Sequence, residues 1–222
     1  MYFVSVIMPY FKKKEYVKKS ILSVMNQTYN NLELIVVYDD ESNNDYEYIN
    51  NICLKYKNIK LIKNKKNLGA GESRNIAISF SKGNLISFID ADDFWYEEKL
   101  EKQIKFLKEN NYEFVFCNYL KKTGNIEKTI SFKKKYLDHS MLLKSCDIGL
   151  STVLIKSNLI KKNMFPNLKT KEDYVVWLNI TKQKINAYCL DETLVIWNNT
   201  KNSLSSNVSQ KILDGYKVYR VY

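Results

Sequence analysis

An α/β fold built on a mostly parallel sheet is what this 222-residue sequence predicts. Two observations carry that prediction. Short apolar runs alternate with amphipathic helical patterns through the first 120 residues in a βαβαβαβ order, which calls for a sheet covered by helices on both faces. Acidic clusters also recur directly after two of the apolar runs, and in open sheets of this kind ligands sit beyond the carboxyl ends of the strands.

The elements follow in order. Phe3–Met8 is a compact apolar run closed by Pro9 and reads as a buried strand. Val17, Ile21 and Val24 fall on one helical face. Leu34–Val37, rich in β-branched residues, is a second strand ending in Tyr38-Asp39-Asp40-Glu41-Ser42. A helix through Tyr48, Ile52 and Leu54 precedes a short strand at Ile59–Ile62. The loop Lys63–Ala70 enters a helix near Glu72–Ser81. Leu85–Ile89 is a strand running straight into Asp90-Ala91-Asp92-Asp93, with a helix expected from Trp95 onward, marked by Leu100, Ile104 and Leu107. Phe114–Cys117 is the next strand. Further on, Lys121–Lys135 reads as an exposed hairpin or loop turning at Thr123-Gly124-Asn125, Ser151–Ile155 as a strand, and Tyr174–Thr181 as a helix opened by Lys171-Glu172-Asp173. Ala187–Leu190 and Thr193–Trp197 read as two further strands. Residues 1–206 are expected to form one domain, in halves of about 1–120 and 121–206. Residues 207–222 form an amphipathic tail.

Composition narrows the function. With 14% aromatic residues, six glycines and two prolines, disorder and collagen-like repeats are excluded. No run approaches the ~20 apolar residues of a membrane span, and Met1–Pro9 lacks the layout of a secretion signal, so a cytoplasmic protein is expected. The formal charge of +11 favours anionic partners such as phosphates or an acidic membrane face. Nucleic acid is not expected, because no basic run alternates with aromatics. Cys53, Cys117, Cys146 and Cys189 form no CxxC pair and His139 is the sole histidine, which argues against zinc or a disulfide framework and for buried thiols.

The acidic clusters carry the chemistry. In extended chain Asp90 and Asp92 point to the same side, and two neighbouring carboxylates call for a cation. Oxygen-only ligation suits Mg²⁺ or Mn²⁺ bridging to phosphate oxygens. The alternative for Asp92 or Asp93 is a helix cap. Asp39 and Asp40 can accept from a pyrimidine base or a ribose hydroxyl, or close a local Asx-turn. Asn67–Asn75 combines glycines with a helix start suited to phosphate, and Arg74, one of only two arginines with Arg220, suggests a need for bidentate geometry that lysine cannot meet. Asp173, at a helix N-terminus, is a candidate general base that the helix dipole would keep ionised. Trp95, Trp177 and Trp197 could line a sugar site, although core packing suits at least two of them. The triplets Lys12–Lys14 and Lys133–Lys135 read as solvated faces.

In this order the motifs resemble the inverting family 2 glycosyltransferases of GT-A fold, over Val4 to about Ser206. The carriers are Val4–Phe11, Ser20–Tyr29, Gly83–Asp93 with its DxD motif, Glu172-Asp173-Tyr174 with Trp177-Leu178, Leu190–Leu194, and Ser203–Ser206. Leu190–Leu194 and Ser203–Ser206 are similar to bacterial members that build surface polysaccharides and lipooligosaccharides. The family's usual Val-Asp-Asp-Gly-Ser is altered here: Tyr38 replaces the first Asp, and Asp39 falls on the second. The resemblance implies transfer from a nucleotide sugar, UDP-linked by expectation, to a saccharide or lipid-linked acceptor, with possible peripheral contact with an anionic membrane. It implies that Pro9, Phe11, Asp39, Asp40, Arg74, Asp90, Ala91 and Asp92 meet the nucleotide, that Asp90 and Asp92 hold Mn²⁺ or Mg²⁺, and that Asp173 is the base. A sugar nucleotidyltransferase would carry a glycine-rich loop where this chain has Pro9-Tyr10-Phe11-Lys12-Lys13. A non-catalytic basic module binding polyanion or membrane is the reading from a different class.

Overall fold

The computed structural model describes residues 1–145, 148–200 and 208–221. In chain order the elements are β1 (Val4–Tyr10), α1 (Lys14–Met25), β2 (Leu32–Tyr38), α2 (Tyr46–Cys53), β3 (Ile59–Lys63), α3 (Ala70–Phe80) and β4 (Leu85–Phe88). After them come β5 (Phe94–Trp95), α4 (Lys99–Glu109), β6 (Phe114–Thr123), β7 (Ile126–Ile130), β8 (Tyr136–Leu137) and α5 (His139–Leu142). The last are β9 (Leu154–Lys156), α6 (Ser157–Lys162), α7 (Glu172–Lys182), β10 (Ala187–Asn198) and α8 (Val208–Val221).

One mixed sheet runs in the order β3-β2-β1-β4-β9-β6-β10-β5, with β7 on β6 and β8 on β10. The first four strands pair in parallel. Alternation along them feeds two cores. Val6, Met8, Leu34 and Val36 point toward α1 and α2, while Ile7, Ile35 and Val37 point toward α3. Both faces of β1, β2 and β4 are covered, which is why these strands read as largely apolar runs, whereas β3 keeps Lys60 and Lys63 exposed. Pro9 sits within β1 without cost. Ile7 accepts from the Ile89 amide (3.0 Å), so Pro9, two residues on, faces the same side, past the last β1–β4 pair Ile7–Phe88, where no ladder bond is needed.

β4 is short, and its far neighbour β9 is antiparallel. Gly83 marks its entry: a Cβ there would lie 2.5 Å from the Ser5 amide nitrogen and 2.7 Å from the Phe3 carbonyl. Four expectations are corrected. Ser151–Ile155 is not a strand throughout, because Leu150–Thr152 is a turn of 3-10 helix and β9 begins at Leu154. The two strands expected over Ala187–Trp197 are one strand with register shifts between Leu190 and Val195. No helix starts at Trp95. Phe94–Trp95 pairs with Val195–Ile196 of β10, and the helix begins at Lys99, so Asp92 and Asp93 are not its caps. Leu54 lies outside α2 and is exposed. Cys53, Cys117 and Cys189 are buried free thiols, whereas Cys146 and Ser203–Ser206 lie outside the described residues.

One lysine is fully buried. Lys99 Nζ donates to Gln103 Oε1 (2.9 Å) and Ser87 Oγ (3.2 Å) and lies 3.8 Å from the centre of the Trp95 ring. Burial lowers its pKa to about 7. Among the described residues, no helix is long and apolar enough to cross a membrane.

Candidate active site

Where β1, β2 and β4 end, a cavity of about 990 Å³ opens toward the start of α7. Pro9, Phe11, Asp39, Arg74, Asp90, Ala91, Asp92 and Asp173 all line it. Asp40 does not: it is buried beside the site and accepts from the Ser42 amide (3.0 Å), the Asx-turn alternative.

Asp39 is almost wholly buried and fixes the loop over Asn64–Gly69. Its Oδ1 accepts from Asn64 Nδ2 and the Leu68 amide (both 2.8 Å), and its Oδ2 from the Gly69 amide (2.9 Å). Gly69 has φ +86°, a conformation that only glycine adopts without strain. Below this loop Tyr38 is buried and stacks on Tyr10 (5.2 Å between centroids). The Tyr10 hydroxyl donates to Asp45 (2.6 Å), so the tyrosine that replaces the family's first Asp has become core rather than site.

Asp90, Asp92 and Asp93 occupy a turn closed by the Asp93 amide donating to the Asp90 carbonyl (3.0 Å). Their carboxylates part company. Asp90 meets Arg74 Nη2 (2.8 Å), and Asp92 meets Lys13 Nζ (2.7 Å). Asp93 points inward to accept from Ser151 Oγ (2.5 Å) and the Asn198 amide (3.1 Å). Burial, reinforced by the charges of Asp90 and Asp92, raises Asp93 well above the usual carboxylate range. Lys13 and Thr200 complete a triangle on Asp92: Lys13 Nζ donates to Thr200 Oγ1 (2.5 Å), which donates to Asp92 Oδ2 (3.0 Å). The lysine triplet read as a solvated face thus contributes Lys12 and Lys13 to the cavity lining, and Lys13 to the contacts of Asp92. The partners of Lys13 lie about 80 and 190 positions away, so nothing local could have flagged it.

Arg74 does have the forked geometry the sequence suggested, but its partners are protein. Nη1 meets Glu172 Oε1 (2.5 Å) while Nη2 meets Asp90, and its side chain is 4% exposed. It ties the DxD turn to the first residue of α7. Next to it, Asp173 is half-buried and accepts from the Tyr174 amide (2.8 Å). Its expected ionisation by the helix dipole is corrected. Burial, followed by the charge of Glu172, outweighs Arg74 and raises the pKa of Asp173 to about 7. Trp95 and Trp177 are core, and Trp197 lines the cavity. His139 lies away from it, 3.4 Å from Thr181 Oγ1.

Among the described residues no set of three His, Cys, Asp or Glu side chains converges on a point that could hold a metal. Two aspartates with oxygen donors only, Asp92 paired with the Lys13 ammonium and Asp90 with the Arg74 guanidinium, nonetheless offer the donor chemistry of an Mg²⁺-type ion that draws its other ligands from water and phosphate.

The fold is that of GT-A glycosyltransferases. The Staphylococcus aureus TarS fragment solved with UDP-GlcNAc superposes with a TM-score of 0.79 at 21% identity, over 99% of this chain and 65% of that one. The Pyrobaculum calidifontis mannosyltransferase PcManGT, solved with GDP-Man and Mn²⁺, gives 0.76 at 14% identity over 97% and 64%. The chain therefore spans just under two thirds of the length of these solved structures. In sequence, residues 5–167 match the profile of glycosyl transferase family 2, and the chain belongs to that family. Curated relatives include an uncharacterized glycosyltransferase of Haemophilus influenzae, 37% identical over 81% of this chain and 72% of that protein. The Escherichia coli glucosyltransferase WfgD, which acts with UDP-Glc on α-D-GlcNAc-diphosphoundecaprenol, is 35% identical over 93% and 81%.

Proposed function

We propose that this glycosyltransferase moves a sugar from a UDP-linked donor, with inversion, to a hydroxyl of a lipid-linked saccharide in bacterial surface-polysaccharide synthesis. The observation that carries the reading is that the Asp90/Asp92 turn and Asp173, whose pKa is raised to about 7, line one cavity. Relatives such as WfgD support the donor and acceptor classes.

In this reading Pro9 and Phe11 flank the nucleobase. Asp39 Oδ2, with one bond from Gly69, has a lone pair left for the base N–H. Asp92, assisted by Asp90, would hold Mn²⁺ or Mg²⁺, which supplies positive charge to the departing diphosphate. Asp173 takes the proton from the acceptor hydroxyl as it attacks the anomeric carbon, and a base with a pKa near 7 suits that transfer at neutral pH. Arg74 keeps Glu172, and with it the start of α7, in register with the DxD turn. Residues 1–206 form one catalytic unit in this proposal, supported by the one sheet that joins both halves. α8 is seated on it through Asp214, which accepts from the Thr170 amide (3.0 Å). The enzyme would work at the cytoplasmic face of the membrane.

A thermal-shift panel of UDP, dTDP, GDP and CDP, with and without Mn²⁺, tests the donor end. UDP at 100 times its Kd should stabilise the protein by about 2.7 kcal/mol, and only with metal. No shift with any nucleotide would reject the proposal.

A further inference from the structure

The charges lining the cavity are not evenly spent. Beside the DxD turn Lys13 and Arg74 are committed to Asp92, Asp90 and Glu172, and the neighbouring Lys12 places its Nζ 5.0 Å from the centre of the Phe11 ring. At the other end Lys144, Lys169 and Lys171 line the same cavity, and among the described residues none of the three has a carboxylate partner. They are grouped by the fold rather than by sequence. Lys169 and Lys171 flank Thr170, which is pinned to Asp214 through both its amide and its hydroxyl. Lys171 takes up a left-handed backbone (φ +64°) immediately before α7 and directs Nζ to 5.7 Å from the centre of the Tyr174 ring. The Tyr174 hydroxyl donates to the Leu142 carbonyl (2.7 Å) and that of Tyr219 to the Leu143 carbonyl (3.1 Å), bringing the end of α5, and with it Lys144, to the same rim.

Three ammonium groups that line one cavity and balance no carboxylate among the described residues raise the local concentration of anions. A neutral sugar offers them hydrogen-bond acceptors but no charge to balance. Lysine acts on phosphate as a point charge and needs no fixed fork geometry. We infer that Lys144, Lys169 and Lys171 form an anion subsite at the acceptor end of the cavity, which selects acceptors carrying a phosphate or diphosphate beside the attacked sugar. The inference rests on the proposed transferase reading for the word acceptor. The subsite itself rests only on the placement of the three lysines.

The test is calorimetric, on the full chain, with three probes: octyl N-acetylglucosaminyl diphosphate, the neutral octyl N-acetylglucosaminide, and phosphatidylglycerol vesicles. Titrations are run with UDP and Mn²⁺ present, so that the donor end does not compete for the diphosphate. Wild type should bind the diphosphate probe at least tenfold more tightly than the neutral glycoside. Lys144→Gln/Lys169→Gln/Lys171→Gln should erase that ratio, and the single variant Lys169→Gln, at an exposed position, should reduce it about threefold if the triple variant does not fold. Equal affinity of wild type for the two glycolipids, or a ratio that survives the substitutions, overturns the inference. So does a loss confined to the vesicles, which would make the lysines a lipid-headgroup contact. The UDP thermal shift reports the donor end separately. A charge-dependent preference without any nucleotide shift keeps the subsite and rejects the transferase reading, and the reverse pattern rejects the subsite alone.

Discussion

Replacing Arg74 by methionine should cost the enzyme a large share of its stability before any effect on catalysis is considered. The guanidinium, with its side chain 4% exposed, meets Glu172, whose side chain is 10% exposed, and Asp90, whose side chain is 34% exposed. Stranding one partner of a buried pair costs about 3–5 kcal/mol. Asp90 can recover water through its exposed third, so the loss should fall at the lower end, about 3 kcal/mol, and come chiefly from Glu172. For a chain of this size that corresponds to a fall in Tm of about 6–12 °C. Urea denaturation of wild type, Arg74→Met, Glu172→Gln and the double variant closes a thermodynamic cycle. The double variant should regain at least half of the loss, because the stranded charge is gone. If Arg74→Met stays within about 0.5 kcal/mol of wild type, the ordinary range for a surface position, or if the two substitutions simply add, the arginine is not the tie described above.

Asp173→Asn should abolish transfer while UDP still binds, and the acid limb of the wild-type pH–rate profile should have its midpoint near 7. Because folding raises this carboxyl, the native state holds a proton that the unfolded chain has released, and stability falls as pH rises from about 4 to 7. The asparagine variant should therefore melt above wild type at pH 8, with the gap closing toward pH 4. Lys99→Met should stabilise most at pH 7 and below. The ammonium, depressed to about 7 by burial, imposes a penalty that grows as pH falls from about 10 to 7, and a variant gap independent of pH would contradict this. Lys13→Met should strengthen Mn²⁺ binding several-fold in calorimetry without nucleotide, since the ammonium group at 2.7 Å from Asp92 no longer competes. Unchanged affinity would show that the two cations do not share a site.

The parallel half of the fold was legible because β1, β2 and β4 are buried on both faces, so that Val4–Met8, Leu34–Val37 and Leu85–Phe88 are apolar but for the buried Ser5 and Ser87. The region after Asp93 was not. Asp92 and Asp93 have the chemistry of helix caps, and only the remote pairing of Phe94–Trp95 with Val195–Ile196 decides otherwise. The same holds at the site. Residue types at strand ends pointed to Asp39, Asp90 and Asp92, and a helix start to Asp173, yet the partners that hold Asp92 and Asp90, namely Lys13, Thr200 and Arg74, are brought in by the fold. The shift in Asp173 shows the limit most clearly. Its place at a helix start argues for easy ionisation, whereas burial, visible only in three dimensions, carries it the other way with the help of the neighbouring charge of Glu172.

The order of strands across the sheet also bears on how the chain is made. β1 to β4 all lie within the first 88 residues and can pair as soon as they leave the ribosome, but the open side of β4 waits for β9, which begins at Leu154. At ribosomal speeds of roughly 5–20 residues per second, that edge and the unmatched Arg74 stay uncovered for several seconds. A nascent chain stalled in this interval would present a bare apolar strand to its neighbours, so slow codons between residues 88 and 154 should depress soluble yield more than slow codons placed elsewhere.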